Sequence, residues 1–428
     1  MKRIAASLLC LAILICGMLS GCQYAAPGSN GPSKPLSGKT TDLMSDYEPT
    51  QLTVVDVVFN EESSAAPTDF AVRLFQAGAR AGENTLISPV SVLYALSMTA
   101  NGAKGDTLTQ MEDVLGLDVE HLNTYLKAYM SALPEDEKYK LSIANSIWFT
   151  DDDQFTVNQD FLQANADFYG AGIYQAPFDD ATCKDINRWV ENNTDGMIED
   201  ILDEIPIDAV MYLVNAMAFD AEWQKIYEEN QVRDGEFTTE DGEKQEVELM
   251  YSEESRYLED DKATGFIKPY ADSKYAFVAL LPNEGVTVAE YLASMTGEGL
   301  AGMLASPQDT IVSTAIPKFE CEYSAQLSDI LVEMGMPDAF NADQADFSGL
   351  GTSTAGNIFI SRVLHKTFIS VDEKGTKAGA ATVVEMKDES APMVEDPKEV
   401  ILDRPFIYML IDCEANLPLF IGTMMTTE

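Results

Sequence analysis

The sequence predicts one large α+β domain with antiparallel or mixed sheets, preceded by a segment outside the fold. Helical periodicities dominate the first half of the chain, and strand patterns dominate the second half. The segment 209–219, AVMYLVNAMAF, is apolar on both faces, which is typical of a central strand. No internal repeat is visible, so early helices followed by mixed strands favour an α+β fold.

The first 21 residues are predicted to be a bacterial lipoprotein signal peptide. Two early cations precede an apolar run from Ile4 to Leu19, and the run leads into LSGC, which ends at Cys22. These positions resemble a lipobox, which implies cleavage before Cys22 and lipid on its thiol and new amino group. An ordinary signal peptide with a chance cysteine and an uncleaved anchor helix are the alternatives.

Residues 22–66 are expected to be the lipidated cysteine and a flexible tether, and the folded domain is expected over 67–428. The stretch 23–50 is rich in Gly, Pro, Ser and Thr, a composition typical of linkers. We therefore expect an extracellular protein that is anchored to the outer face of a bacterial membrane through Cys22.

The acidic composition excludes some classes of partner. The chain has 27 Lys plus Arg against 71 Asp plus Glu, a formal net charge of -44. Such a surface repels nucleic acids and anionic headgroups, and it attracts cationic partners through a field that salt weakens. We predict no nucleic-acid partner, and solubility alone also explains the acidity.

The chain lacks the patterns of a metalloprotein or a hydrolase. After removal of the signal, the cysteines are Cys22, Cys183, Cys321 and Cys413, too sparse for a disulfide framework. CxxC, HExxH, GxSxG and cofactor motifs are absent, and the only histidines are His121 and His365. A lone histidine in the strand-like SRVLHKTF is more often a hydrogen-bonded core group than a catalytic base. We predict no metal, no cofactor and no enzymatic activity.

The secondary structure follows from periodicity and from capping residues. Ser88 and Pro89 open one helix and Gly102 closes it. Helical patterns cover 68–81, 88–102, 107–115, 119–133, 183–193, 287–295 and 324–334. Strand patterns cover 84–87, 140–150, 209–219, 236–239, 246–250, 263–269, 275–281 and 310–317, with a final hairpin over 406–411 and 417–424.

A run of small residues lies between two strand-like segments near the C-terminus. Its members are Gly375, Thr376, Ala378, Gly379, Ala380, Ala381 and Thr382. The glycines make a poor helix. In a strand, Thr376, Ala378, Ala380 and Thr382 share one face, and such a face suits a strand that slides between two existing strands. A flexible linker is the other interpretation.

From about residue 69 to the C-terminus, a series of stretches resembles the serpin family in sequence and in order along the chain. They are NTLISPVSVLYALSMTANGAKGDT (84–107), INRWVENNTDGMIEDIL (186–202), LVNAMAFDAEW (213–223), IPKFE (316–320), GMPDAFNADQADFSGL (335–350), SRVLHKTFISVDEKGTKAGAAT (361–382), RPFIYML and LFIGTM. The resemblance implies a serpin fold of three β-sheets with about eight or nine helices. It also implies an exposed reactive-centre loop over about 373–403.

The resemblance further implies a monomeric inhibitor of serine, or cysteine, proteases that acts as a suicide substrate. The target protease would attack the loop, and the hinge, which begins at Glu373 and runs through the small residues to Thr382, would insert into the central sheet. The protease would then stay trapped in a covalent 1:1 complex. The alternative is a non-inhibitory serpin that serves as a binding or structural module. The hinge carries no bulky or charged residue on its inserting face, which favours inhibition.

Several site residues carry over by position. Ser88, Ser91, Asn215 and His365 match the family's "shutter", where the sheet parts, and Trp223 matches the "breach", where insertion begins.

The family's spacing of seventeen residues from Glu373 places the scissile bond at Glu389–Ser390. The following segment is longer than in typical members, so bonds after Met386, Lys387 and Met393 are alternatives. Lys377 replaces a common Glu, and its side chain is expected to point outward.

Overall fold

The computed structural model describes residues 35–50, 57–133, 139–151, 155–206, 209–271, 273–354, 356–376 and 398–427. Within these ranges the chain forms nine α-helices and three β-sheets, as the resemblance implies. The helices are α1 (Glu61–Gly78), α2 (Pro89–Ala100), α3 (Gly105–Leu115), α4 (Val119–Ser131), α5 (Gln159–Phe168), α6 (Asp180–Asn193), α7 (Val288–Ser294), α8 (Gly297–Ala305) and α9 (Ser328–Met334).

The strands of the first half are short except for two long central ones. They are β1 (Thr41–Asp42), β2 (Thr85–Ile87), β3 (Tyr139–Thr150), β4 (Phe155–Val157), β5 (Gly172–Ala176) and β6 (Met211–Glu222). The later strands are β7 (Val232–Thr238), β8 (Lys244–Glu259), β9 (Ala263–Pro269), β10 (Tyr275–Pro282), β11 (Gln308–Pro317), β12 (Phe319–Gln326), β13 (Gly351–Ser353), β14 (Arg362–Val371), β15 (Gly375–Thr376), β16 (Lys398–Ile401), β17 (Phe406–Asp412) and β18 (Leu417–Met424).

The first sheet contains seven strands in the order β1-β5-β3-β6-β15-β14-β12. Strand β6 is antiparallel to β3 and parallel to β14. Its residues from Met211 to Phe219 are all buried, as expected for a strand that is apolar on both faces. The second sheet follows the order β16-β11-β8-β9-β10-β17-β18-β2, with β7 paired to β8, and β4 pairs with β13 in the third.

Two helices cover opposite faces of the first sheet. All residues of α2 are buried, and the helix contacts β3 and β6 as well as β18 of the second sheet. On the other face, α6 presents Ile186, Trp189 and Val190 to a second apolar cluster. Ser88 caps α2 by accepting a hydrogen bond from the Ser91 amide, and Pro89 occupies the first turn.

The N-terminal boundary differs from the expectation of a tether over 22–66. Residues 35–50 lie against the domain, and β1 pairs with β5 at the edge of the first sheet. Helix α1 begins at Glu61, with Asn60 as its cap. The composition of this segment predicts a linker, but Leu36, Leu43 and other apolar side chains contact the two apolar clusters. Tertiary contacts therefore order a segment that has little local propensity to fold.

Other elements also differ from the sequence-based prediction. Helix α9 begins at Ser328 rather than at 324, because residues up to Gln326 pair with β14 as strand β12. Helices α5 and α8 were not predicted. Within the described ranges, no helix has the length and the apolar character needed to cross a membrane.

Candidate functional site

In the first sheet, strands β6 and β14 pair with each other along one part of their length and are separated by β15 along another. Strands β6 and β14 pair directly in parallel over six residue pairs, from Tyr212–Arg362 to Met217–Thr367. We call this paired region the seam. Beyond it, β15 lies between the two strands, because Thr376 is opposite both Ala221 of β6 and Val371 of β14. The sheet therefore already holds two residues of the predicted hinge between the strands that flank the seam.

The position of Gly375 admits only glycine. A Cβ atom there would lie 2.0 Å from the Ala221 carbonyl oxygen and 2.8 Å from the Glu222 Cα, both of which are backbone atoms. Thr376 is fully buried, and its hydroxyl forms a 2.5 Å hydrogen bond with the Tyr270 hydroxyl. Burial raises the pKa of Tyr270 well above its ordinary value, so the phenol stays protonated. We call Tyr270 and the flanking backbone of β6 and β14 the hinge seat.

Trp223 packs against the hinge seat. Its ring stacks on Tyr270 with centroids 4.5 Å apart, and its Nε1–H donates to the Asp372 carbonyl at 2.8 Å. The Trp223 amide donates to the Lys374 carbonyl at 2.8 Å, and the Tyr227 amide donates to the Glu373 carbonyl at 2.8 Å. The turn that precedes β15 is therefore held by three bonds from the chain that follows β6.

Charged pairs surround this turn. Glu373 lies 3.2 Å from the Lys318 ammonium, which also lies 3.1 Å from Glu248. A bond from its own backbone amide and the contact with Lys318 hold the pKa of Glu373 below its usual value. Deeper in the fold, the buried Lys268 donates to Glu254 at 2.8 Å. Burial disfavours the charged ammonium of Lys268, but its interactions with Tyr227 and Glu254 outweigh this, and its pKa is raised.

The four predicted shutter residues form one buried hydrogen-bond network at the middle of the seam. His365 and Asn215 are opposite each other in the β6–β14 register, and His365 Nδ1 lies 2.5 Å from Asn215 Oδ1. The Ser88 amide donates to His365 Nε2 at 3.1 Å, and the Ser91 hydroxyl donates to Asn215 Oδ1 at 2.8 Å. Asn215 Nδ2 donates to Asn145 of β3 at 2.6 Å.

This network fixes the protonation state of His365. Because Nε2 accepts from the Ser88 amide, the ring proton must be on Nδ1, where it is donated to Asn215. Burial lowers the pKa of His365 to about 3, so the ring is neutral at ordinary pH. A strand that entered the seam would separate His365 from Asn215. The network therefore links β6 to β14, and separating these two strands would break the bond between His365 and Asn215.

Some of the predicted site residues lie outside the described residues. These are Cys22, Ala378, Gly379, Ala380, Ala381, Thr382, Met386, Lys387, Glu389, Ser390 and Met393. Both described ends of the expected loop 373–403 are in sheets, since Gly375–Thr376 form β15 and Lys398–Ile401 form β16, parallel to β11. The expected C-terminal limit of the loop, about residue 403, is therefore wrong, because residues 398–401 form β16.

Sequence reasoning missed several residues of the site. Tyr270 follows β9 and reaches the hinge seat, and Asn145 of β3 reaches the seam, so both come from distant parts of the chain. Lys318 lies within the IPKFE stretch that carried the resemblance, but neither its charge nor its position indicates Glu373 as its partner. Among the described residues, no group of three or more His, Cys, Asp or Glu side chains is arranged to hold a metal ion.

Comparison with known proteins identifies similar chains. The family model described as Serpin (serine protease inhibitor) matches residues 65–427. Serpin B9 of Homo sapiens is 32% identical, over 85% of this chain and 98% of that protein. An uncharacterized serpin-like protein of Thermococcus kodakarensis is 29% identical over 100% of both chains. The crystal structure of the thermophilic serpin tengpin in the native state matches with a TM-score of 0.86 and 46% identity, over 91% of this chain and 100% of that chain.

Proposed function

Because the chain belongs to the serpin family, whose members are mostly serine protease inhibitors, we propose that it inhibits a serine endopeptidase as a suicide substrate. The protease's nucleophilic oxygen attacks the scissile carbonyl carbon, the C–N bond breaks, and the new amino group takes the proton. The N-terminal part of the loop stays esterified to the protease. Insertion of this part into the first sheet then carries the protease away before water can hydrolyse the ester.

The position of β15 is the observation that carries this proposal. Gly375 and Thr376 already lie between β6 and β14, antiparallel to β6 and to the end of β14. Continuing the same strand would bring the residues after Thr376 between the two strands of the seam. Each new residue would replace direct β6–β14 pairing by pairing on both of its sides, which is strand addition within a sheet.

The hinge seat explains why the inserting residues must be small. Thr376 is fully buried, and Gly375 cannot carry a Cβ atom. Ala378, Ala380 and Thr382 have the same alternation as Thr376 and would occupy the same face of the strand. The inserting face would therefore place methyl and hydroxyl groups, and no charge, in the interior.

We assign the scissile bond to Glu389–Ser390, with the bonds after Met386, Lys387 and Met393 as alternatives. A glutamate before the scissile bond favours a glutamate-specific protease. The partner would be a serine protease, or a cysteine protease, in a covalent 1:1 complex with the monomeric chain.

The location is also part of the proposal. The segment that ends in LSGC supports a lipoprotein attached through Cys22 to the outer face of a bacterial membrane. The protein would then meet extracellular proteases. Metabolic labelling with a fatty-acid analogue tests this, because Cys22→Ala should abolish incorporation while leaving the inhibitory activity of the purified domain unchanged.

The experiment that tests inhibition mixes the chain from Gln23 onward with serine proteases specific for Glu, Lys and small apolar residues. Denaturing gels would detect a covalent complex, and mass spectrometry of the released C-terminal peptide would locate the cleaved bond. We expect a denaturant-stable complex with at least one protease. If every protease that cuts the loop leaves only cleaved chain and stays active, the protein is a non-inhibitory serpin.

A further inference from the structure

A cavity of about 370 Å³ is lined by residues from the end of β8 and from the helices α7 and α8. Leu258 and Leu300 form part of its wall and are almost fully buried, and the half-buried Met295 and Met303 also line it. The volume lies within the range of pockets that hold small organic ligands, and methionine side chains adapt to the shape of a ligand. We call this space the β8–α8 cavity.

The charged side chains in the wall of the β8–α8 cavity are acidic. They are Glu259, the last residue of β8, and Asp260, which follows it, and the described residues contribute no Lys or Arg to the wall. The Tyr291 hydroxyl donates to Asp260 Oδ2 at 2.8 Å, which fixes this carboxylate in place. The formal net charge of -44 adds a long-range field that attracts cations. The cavity therefore favours a ligand with an apolar body and a positively charged head.

A lysine of the chain itself already binds at this acidic edge. The Lys398 ammonium of β16 lies 4.8 Å from the centre of the Tyr257 ring and 3.4 Å from Glu259. Tyr257 also lines the cavity. An aromatic ring beside a carboxylate is an arrangement that stabilises an ammonium group. Because a carboxylate can accept several hydrogen bonds, Glu259 can bind a second ammonium group from the side of the cavity.

Helix α8 carries a glycine in the wall of the cavity without a packing reason. Glycine in a helix costs about 1 kcal/mol relative to alanine. A Cβ atom at Gly302 would meet no atom within 4 Å, so no neighbour requires glycine there. In the same helix, by contrast, a Cβ atom at Gly297 would lie 2.5 Å from the Asp69 Cα. Gly297 therefore permits close packing of two helices, whereas Gly302 leaves space open.

We propose that the β8–α8 cavity binds a small amphipathic cation, namely a primary amine on an apolar body. The body lies against Leu258, Leu300 and the two methionines, and the ammonium group donates to Glu259. The site belongs to the surroundings of the second sheet and requires no insertion of the reactive loop. It therefore goes beyond the proposed function and does not depend on it.

The test measures binding by isothermal titration calorimetry with the chain from Gln23 onward. The probes are three arylalkylamines of different length and width, phenethylamine, phenylbutylamine and tryptamine. Skatole, which has the indole ring but no amino group, and indolepropionate, which carries a negative charge instead, are the ligand controls.

Three variants locate the site. Gly302→Leu fills the cavity, and Glu259→Gln removes the carboxylate that receives the ammonium group. Glu298→Gln is the matched control, because it makes the same change at an exposed residue of α8 that does not line the cavity. Since leucine favours a helix more than glycine does, Gly302→Leu should resist urea at least as well as wild type.

We expect at least one amine to bind wild type saturably, with a dissociation constant below about 1 mM, and we expect skatole and indolepropionate to bind at least about tenfold more weakly than tryptamine. Glu259→Gln should weaken amine binding about tenfold, since it loses a hydrogen bond between charged groups, and Glu298→Gln should leave it unchanged. Gly302→Leu should abolish binding.

The proposal is overturned if no amine binds wild type, or if folded Gly302→Leu binds the amines as tightly as wild type does. Equal weakening by Glu259→Gln and Glu298→Gln would also overturn it, because the cation would then respond only to the overall negative charge of the protein.

Discussion

Replacing Thr376 by arginine should convert the inhibitor into a substrate. Thr376 is fully buried in the hinge seat, where its hydroxyl forms a 2.5 Å hydrogen bond with the Tyr270 hydroxyl. An arginine side chain carries five N–H donors and a fixed charge, which one phenol oxygen cannot satisfy. Placing that charge in the inserted strand costs several kcal/mol.

The size of this cost determines how much of the chain ends as covalent complex and how much ends as cleaved chain. Because Thr376 is buried between β6 and β14 before cleavage as well, the arginine first expels β15 from the sheet of the intact chain. Bringing the charge back into the sheet during insertion then costs roughly 4 kcal/mol and slows insertion by about a thousandfold, since each 1.4 kcal/mol corresponds to a factor of ten. Hydrolysis of the acyl-enzyme then precedes insertion, and the protease is released. Two matched variants separate charge from hydrogen bonding. Thr376→Ser keeps the hydroxyl and should still inhibit, whereas Thr376→Val leaves the Tyr270 hydroxyl unpaired at a cost of about 1–3 kcal/mol.

The assay measures the ratio of covalent complex to cleaved chain on denaturing gels, with a protease that the wild type traps. We expect complex with wild type and Thr376→Ser, a mixture with Thr376→Val, and only cleaved chain with Thr376→Arg. Formation of the complex by Thr376→Arg in wild-type yield would refute the reasoning, because a guanidinium would then have entered the sheet without penalty.

Three further predictions concern the seam and the turn before β15. Since burial lowers the pKa of His365 to about 3, the unfolded chain binds an extra proton below pH 6.5, and wild type should lose up to about 1.4 kcal/mol of unfolding free energy per pH unit from pH 6.5 downward. When the unfolding free energy from urea titrations is plotted against pH, His365→Gln should lack this loss, whereas His121→Gln should keep it. If the three proteins lose unfolding free energy equally as the pH falls, a neutral buried His365 is excluded. Asn215→Ala removes the acceptor of two buried donors and should lower the urea-unfolding free energy by roughly 2–6 kcal/mol; a loss below 1 kcal/mol would show that the donors find other partners. A double-mutant cycle on the partly exposed pair Lys318–Glu373 should give a coupling of about 0.5 kcal/mol, and a coupling of several kcal/mol would contradict its exposure.

The sequence predicts the central parts of the fold because their signals are local. Ser88 and Pro89 mark the start of α2, and the doubly apolar pattern of 209–219 marks β6. Helix α5 was not predicted because its sequence, QDFLQANADF, contains two Asp residues and one Asn, which have a weak helical preference. Strand β12 was partly assigned to a helix, because its identity depends on pairing with β14.

Local sequence patterns predict less of the candidate site than of the fold. Composition alone leaves the run after Glu373 open between a linker and an inserting strand, and only the resemblance indicates a hinge. The contact of Thr376 with Tyr270 joins residues 106 positions apart, and no periodicity specifies it. The docking of residues 35–50 likewise depends on distant partners such as Asp185, so a linker-like composition predicted the wrong state for this segment.

The central claim is that cleavage lets the residues after Thr376 enter the seam between β6 and β14. Hydrogen–deuterium exchange on chain cut in the loop tests it most directly. The account predicts that amides of residues 377–382 exchange far more slowly after the cut than in intact chain, because they gain partners on both sides, and that Thr376→Arg shows no such slowing. If these amides exchange as fast in cut wild-type chain as in an unstructured peptide, the strand does not insert and the account is wrong.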